Sequence, residues 1–240
     1  DAPIVPISAQ HSSNIDGLIE TIEEHIPTPE RENEADPKML VARSFDINRP
    51  GNSPEDLKGG VVGGSIVQGE LEVGDEIELR PGVREGDNWK SITTTIKAIM
   101  AGKENIEKGS PGGLLGIQTS LDPALAKSDG LAGNVLGRKG ELPDVYEELE
   151  IEVNLMDRVV GSENMMEIEN IKAKEPLMLN IGTAKSTGIV TQAGNTIKTD
   201  LKIPVCAEEG DRVAISRRIG ARWRLIGHGI IKGGTKKDSK

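Results

Sequence analysis

The chain has 240 residues, room for two domains of ordinary size, with a formal charge of −10 and only one Phe, one Tyr and two Trp. So few rings exclude an aromatic platform for stacking single-stranded bases, and the single cysteine, Cys206, excludes an internal disulfide and fits a reducing cytoplasm. No apolar run approaches the about 18 residues of a membrane span, so no membrane partner is expected. No Cys/His spacing of a metal site occurs.

Asp1-Ala2-Pro3 is neither a signal peptide nor a natural start, as expected of a fragment or a processed chain. Residues 4–7 read as a short strand and Ser8-Ala9-Gln10 as the loop that leaves it. A helix follows over residues 13–26, because Ile15, Leu18, Ile19, Ile22 and Ile26 fall on one face at the 3.6 period, with Ser13 and Asp16 as a cap-like pair and Pro27 as the stop. One strand and one helix cannot bury that stripe unaided. Residues 1–29 are therefore expected to be the last strand and helix of a larger α/β domain. Residues 30–37, with no apolar period, read as a solvated linker.

The stretch 59–82 is the most informative. Ile66, Leu71, Val73, Ile77 and Leu79 supply apolar residues at alternating positions, and glycines at 64, 69, 74 and 82 punctuate them, the period-2 pattern of short strands and tight turns. Four glycines within residues 59–64 exceed what one hairpin needs: they mark either a softened barrel corner or a surface where a ligand lies on bare backbone. Further strands are predicted over 39–45, 92–100 and 114–117, giving a first β domain over 38–143. A second runs over 144–233, with strands over 149–155, 177–181, 187–191, 198–204, 212–218 and 224–231. Residues 234–240 read as a tail. The fold class is mainly β, two consecutive small barrels after a strand-helix remnant.

Residues 212–237 carry eight Lys and Arg and no acid. Such a face can meet phosphate locally on an acidic protein, or its Arg residues are merely solvated. No catalytic constellation is visible: His11, His25 and His228 are isolated, no Ser or Cys sits in a nucleophile motif, and Cys206 reads as a small core residue. No Gly-Lys carries the spacing of a phosphate-cradling loop, so this chain alone is not expected to hydrolyse a nucleotide. His25, in the last helical turn, favours the helix dipole.

Three strings, Arg43-Ser44-Phe45-Asp46-Ile47-Asn48-Arg49-Pro50-Gly51, Leu57-Lys58-Gly59-Gly60-Val61-Val62-Gly63-Gly64-Ser65-Ile66 and Pro111-Gly112-Gly113-Leu114, resemble the gamma subunit of archaeal and eukaryotic translation initiation factor 2. So do Leu121-Asp122-Pro123, Val213-Ala214-Ile215-Ser216-Arg217-Arg218 and Arg222-Trp223-Arg224-Leu225-Ile226-Gly227 further on. Their order and spacing make the resemblance specific over nearly the whole chain, with an archaeal source favoured. It implies a GTPase domain followed by two barrels, domains II and III of a translational GTPase. It also implies that Ser8, Ala9 and Gln10 form part of the guanine site, while GTP and magnesium are expected only with a preceding GTPase domain.

The resemblance further implies delivery of methionyl initiator tRNA to the small ribosomal subunit, in a heterotrimer with alpha and beta subunits. Arg43, Phe45, Lys58, Gly60, Gly63, Gly64, Lys103 and Gly113 map to the tRNA acceptor end, where bare glycine backbone admits the ribose and ester and the cations meet phosphate. Arg217, Arg218, Arg222 and Arg224 are candidates for RNA phosphate contacts, with Arg217 and Arg218 on opposite strand faces. The connection 47–57 and the turn 81–89, with Asn48, Arg49, Asn52 and Trp89, map to docking of the alpha subunit. Two rival readings are another translational GTPase, such as the selenocysteine-specific elongation factor, and a stand-alone two-barrel protein-interaction module.

Overall fold

The computed structural model describes residues 2–159 and 167–237. The chain forms two compact units, one up to Glu32 and one from Asn33 onward.

In the first unit the helix α1 is Ile15–His25, and none of its residues is buried. Ile19, Ile22 and Ile26 are 49%, 45% and 69% exposed, so the apolar stripe lies open on this unit. Two features of this unit differ from the sequence expectation. Residues 4–7 form no strand, because the extended backbone finds no ladder partner and only Ser8 and Ser13 bridge. The helix is entered through Asn14 and not Ser13: Asn14 is left-handed at φ 58°, and its amide donates to the Pro6 carbonyl at 2.9 Å.

The second unit is two closed barrels. The first contains β1 (Lys38–Phe45), β2 (Val61–Gln68), β3 (Leu71–Glu72), β4 (Glu76–Glu85), β5 (Asn88–Ala101), β6 (Glu104–Ile106), β7 (Lys108–Gly109), β8 (Leu115–Thr119) and β9 (Val135–Arg138), with the short helix α2 (Pro123–Ala126). Its closed circuit runs β4-β9-β1-β2-β8-β5 and back to β4, with β6 beside β5 and β3 paired to β7. Alternation explains the core: Met39, Val41, Val62, Ile66, Ile77, Leu79, Ile99 and Ile117 point inward and are buried, each such side chain contributing about 1.5–3 kcal/mol. Val73 departs from the expected alternation at 37% exposure, because β3 ends at Glu72 and Val73 sits in the turn, its N–H on the Glu107 carbonyl at 3.0 Å. The strand β9 and helix α2 carry too few alternating residues to have been read from the sequence.

The second barrel contains β10 (Val145–Leu155), β11 (Pro176–Ile181), β12 (Ala184–Gln192), β13 (Thr196–Cys206), β14 (Arg212–Ile219) and β15 (Arg222–Lys236), closed in the order β10-β13-β12-β11-β14-β15. Every strand predicted there is present and longer than predicted. The expected tail is corrected, since Gly233, Gly234 and Thr235 pair with Glu150, Leu149 and Glu148 and continue β15 to Lys236. Glycine is required at 234, where a Cβ would stand 1.9 Å from the Glu148 carbonyl oxygen.

Arg80 ties down the chain that leaves the first barrel after β9: it donates to the carbonyls of Leu142 and Pro143 at 2.9 and 3.1 Å and to the Glu78 carboxylate, while Gly140 N–H donates to Glu78 at 3.1 Å. Burial opposes charge on Glu78, but the donors from Arg80, Gly140 and Ser91 outweigh it and hold its carboxyl below the usual glutamate range. The barrels are joined where Lys38 of the first meets Glu208 of the second at 3.2 Å and where Val135 and Leu142 form a small apolar cluster with Cys206. The expected linker is only partly solvated: Pro37 is buried, and Gln68 donates to the Asp36 carbonyl at 2.9 Å.

Candidate functional site

The glycine-rich segment divides into two kinds of glycine. A Cβ on Gly59 would fall 2.0 Å from the Thr119 carbonyl oxygen, one on Gly60 2.7 Å from the Ala126 Cβ, and one on Gly64 1.9 Å from the Leu40 carbonyl oxygen. These three are demanded by packing within the barrel. Gly60 and Gly64 are buried and so leave the candidate acceptor-end surface. Gly63 is different, because its nearest neighbours would be Arg43 Cβ and the Leu115 carbonyl oxygen at 3.8 Å and Phe45 Cε1 at 3.9 Å, ordinary contacts.

Register places Gly63 at the centre of an outward row. Arg43 is opposite Gly63, Gly63 opposite Gly116, Gly116 opposite Met100 and Met100 opposite Asn105. Directly opposed residues of antiparallel strands share a face. Gly116 also has room for a Cβ, its nearest neighbour being Met100 Cβ at 4.0 Å. Two adjacent strands thus expose bare backbone side by side with no steric need for it. The strip is walled by Arg43 and Phe45 on one side and Met100 on the other, with Phe45 39% and Met100 42% exposed. Leu114, at one end, is 75% exposed. Gly116, Met100 and Leu114 escaped the sequence reading, because only the register of β8 between β2 and β5 brings them beside Gly63.

The remaining candidates fall around this strip. Lys58 precedes β2 at the Phe45 end and is exposed; Lys103, also exposed, occupies the turn between β5 and β6 at the other end. Gly113 lies in open space at φ +79° just before β8, a turn glycine. Arg43 is held by Asp129, its Nε donating to Oδ1 at 2.8 Å. That hydrogen bond raises the guanidinium pKa and, with the Ser44 N–H, lowers that of the carboxyl.

Among the alpha-docking candidates, Asn48 has an internal duty. Its amide donates to the Lys58 carbonyl at 2.7 Å and accepts from the Lys58 N–H at 2.8 Å, closing the neck of the 48–58 loop. Arg49 and Asn52 are exposed and joined by a backbone bond of 3.2 Å. Trp89 is half-buried opposite Arg84, and its carbonyl accepts from Lys237 at 2.7 Å.

Half of the basic face is neutralised by ion pairs. Lys232, Lys236 and Lys237 pair with Glu152, Asp144 and Glu147. Arg217 is withdrawn from the phosphate-contact candidates, because Glu175 and the carbonyls of Glu169 and Asn170 engage its guanidinium, whose side chain is only 17% exposed. Arg218, Arg222 and Arg224 have no ion pair among the described residues. Arg218 is opposite Trp223, while Arg217 is opposite Arg224 and Ile219 opposite Arg222. The free arginines therefore occupy both faces of the β14–β15 hairpin.

In the first unit, Ser8 N–H is bonded to the Ser13 carbonyl, whereas Ala9 and Gln10 N–H have no partner among the described residues and are exposed. That geometry fits contacts to a nucleobase edge. Among the described residues no cluster of three His, Cys, Asp or Glu could hold a metal ion, and no helix is long and apolar enough to cross a membrane. Burial pushes the Cys206 thiol up to about 12, which leaves it inert.

Residues 59–135 match the family description "Elongation factor Tu domain 2", and residues 147–231 match "Initiation factor eIF2 gamma, C terminal". The fold also resembles that of translation elongation factor SelB from Methanococcus maripaludis in complex with a GTP analogue, with a TM-score of 0.70 and 22% identity, covering 98% of this chain and 52% of that one. Barrels and matches together define the barrel pair of a translational GTPase. The translation initiation factor 2 subunit gamma of Pyrococcus furiosus is 57% identical over 237 residues, and that of Methanocaldococcus jannaschii 55% identical over 238. Each alignment covers 97% of this chain and 58% of the relative. The chain belongs to the translation initiation factor 2 gamma family and matches its C-terminal portion. It spans 58% of the length of these curated relatives. The SelB likeness supports the fold alone, and the selenocysteine-factor reading is not favoured.

Proposed function

We propose that this chain supplies the tRNA-binding and subunit-assembly barrels of a GTP-dependent initiation factor that brings methionyl initiator tRNA to the small ribosomal subunit in the cytoplasm. The observation that carries the reading is the paired Gly63 and Gly116: the fold has room for a Cβ at both, so their absence serves something laid on the outside. The acceptor end fits that need. Its ribose and ester lie on the bare strip, Phe45 and Met100 flank it, and Arg43, Lys58 and Lys103 are spaced along it for phosphates. Arg49 and Asn52, on the exposed loop above the Asn48 neck, dock the alpha subunit together with the tip of the β4–β5 hairpin, where the expected 81–89 turn is reduced to residues 86–87 beside Trp89. The beta subunit completes the factor, and Arg218, Arg222 and Arg224 meet ribosomal or transfer RNA. Ala9 and Gln10 contribute to guanine recognition, and the GTP phosphates and magnesium belong to the GTPase domain of the whole factor.

The test uses the full-length gamma subunit assembled with its partners and GTP, with Gly63→Ala and Gly116→Ala made singly. Weaker binding of methionyl initiator tRNA at undiminished thermal stability is expected. Undiminished binding by both variants would remove the strip from the tRNA site.

A further inference from the structure

Arg43 is a long, exposed side chain, 68% accessible, yet it is not free to wander: Asp129 Oδ1 accepts from its Nε at 2.8 Å. The same oxygen accepts from the Ser44 N–H at 3.0 Å, while Ser44 Oγ accepts from the Leu131 N–H at 2.9 Å. The carboxylate is presented by an unusual turn. Ser128 and Asp129 are both left-handed, at φ 56° and 60°, a conformation that residues with a Cβ rarely adopt and almost never in succession. The turn is thus bent against local preference, and what it delivers is one oxygen to β1 beside the glycine strip.

Only Nε is used. Neither terminal nitrogen of Arg43 has a partner among the described residues, so the guanidinium keeps its outer edge for a phosphate and can take two oxygens at once. We infer that Asp129 is a positioning residue, which fixes the Arg43 guanidinium so that its two terminal nitrogens face a phosphate of the acceptor strand. This rests on the acceptor-end reading proposed above. An unrestrained arginine would have to give up its rotamer freedom on each binding event; the Asp129 bond removes that loss beforehand.

The sign of one substitution separates positioning from simple electrostatics. Asp129→Gly removes a negative charge near the phosphate, and by charge alone should tighten tRNA binding. Glycine suits the left-handed backbone and leaves no oxygen to accept from the Arg43 Nε. Positioning demands the opposite, weaker binding. Arg43→Ala, losing one phosphate contact on a single strand, should weaken binding by about fivefold at 0.1 M salt and flatten the slope of log affinity against log salt by about 0.7. Asp129→Gly, which suits the left-handed backbone, should approach the same loss, and Arg43→Ala with Asp129→Gly should bind no worse than Arg43→Ala alone.

These measurements use the full-length gamma subunit with GTP and methionyl initiator tRNA, and thermal unfolding of each variant accompanies them. An Arg43→Ala protein that binds like the wild type overturns the acceptor-end role of Arg43 and the positioning role with it. A normal loss for Arg43→Ala beside tighter binding by Asp129→Gly, or an additive double variant, overturns the positioning role alone.

Discussion

Gly63 and Gly64 are neighbours in β2, yet they should respond to the same substitution in opposite ways. A Cβ on Gly64 would lie 1.9 Å from the Leu40 carbonyl oxygen, and restoring a carbon–oxygen contact of about 3.3 Å requires β1 and β2 to separate by about 1.4 Å. That opening breaks the ladder around Val41 and Gly64, where each bond contributes about 1 kcal/mol, and shifts Met39 and Val41 in a close-packed core at about 1–3 kcal/mol. Gly64→Ala should therefore cost about 3–5 kcal/mol in all. For a unit of this size that lowers Tm by about 10 °C. Gly63→Ala meets nothing closer than 3.8 Å and, by stiffening the unfolded chain, should change stability by about +0.5 kcal/mol. Thermal and urea unfolding of this chain, followed by circular dichroism, compares the two. The reasoning is refuted if Gly64→Ala melts within about 2 °C of the wild type, a shift worth under 1 kcal/mol, or if Gly63→Ala falls as far as its neighbour.

Arg217→Ala, which strands Glu175 and two carbonyls at 17% side-chain exposure, should lose about 2 kcal/mol in urea unfolding, whereas Arg222→Ala should leave stability unchanged and lower the salt slope of RNA binding by the whole factor. Glu78 has a folded pKa below its unfolded one, so its contribution is complete above about pH 4.3 and disappears as pH falls through the folded value; the Tm advantage of the wild type over Glu78→Gln should be full at pH 7 and vanish on acidification. Asn48→Ala should open the loop neck held by the bonds to Lys58 and speed proteolysis within residues 49–57, with a global cost of about 1–2 kcal/mol. In hydrogen exchange, α1, which buries no residue, should exchange well before the barrel strands; equal protection would show that this helix is covered.

Much was legible in the sequence because the determinants are local. Alternation in Ile66, Ile77 and Leu79 fixes which face of a strand is buried, and left-handed glycines such as Gly74 and Gly210 mark turns that residues with a Cβ rarely form. Two β domains, their order and the family strings followed from such cues. The site was only half legible. Gly59, Gly60, Gly63 and Gly64 look equivalent in sequence, and only the carbonyls and side chains of Leu40, Thr119 and Ala126 brought against them tell which are packing requirements. Arg217 and Arg218 are likewise adjacent, but Glu175, 42 positions away, neutralises one of them. Asp129 lies 86 positions from Arg43, and Gly116 reaches Gly63 through strand register. The sequence by itself determined strands, turns and kinship, which depend on short-range pattern; the tertiary structure alone decided which cations are free and which glycines lie bare, because both depend on contacts between residues distant along the chain.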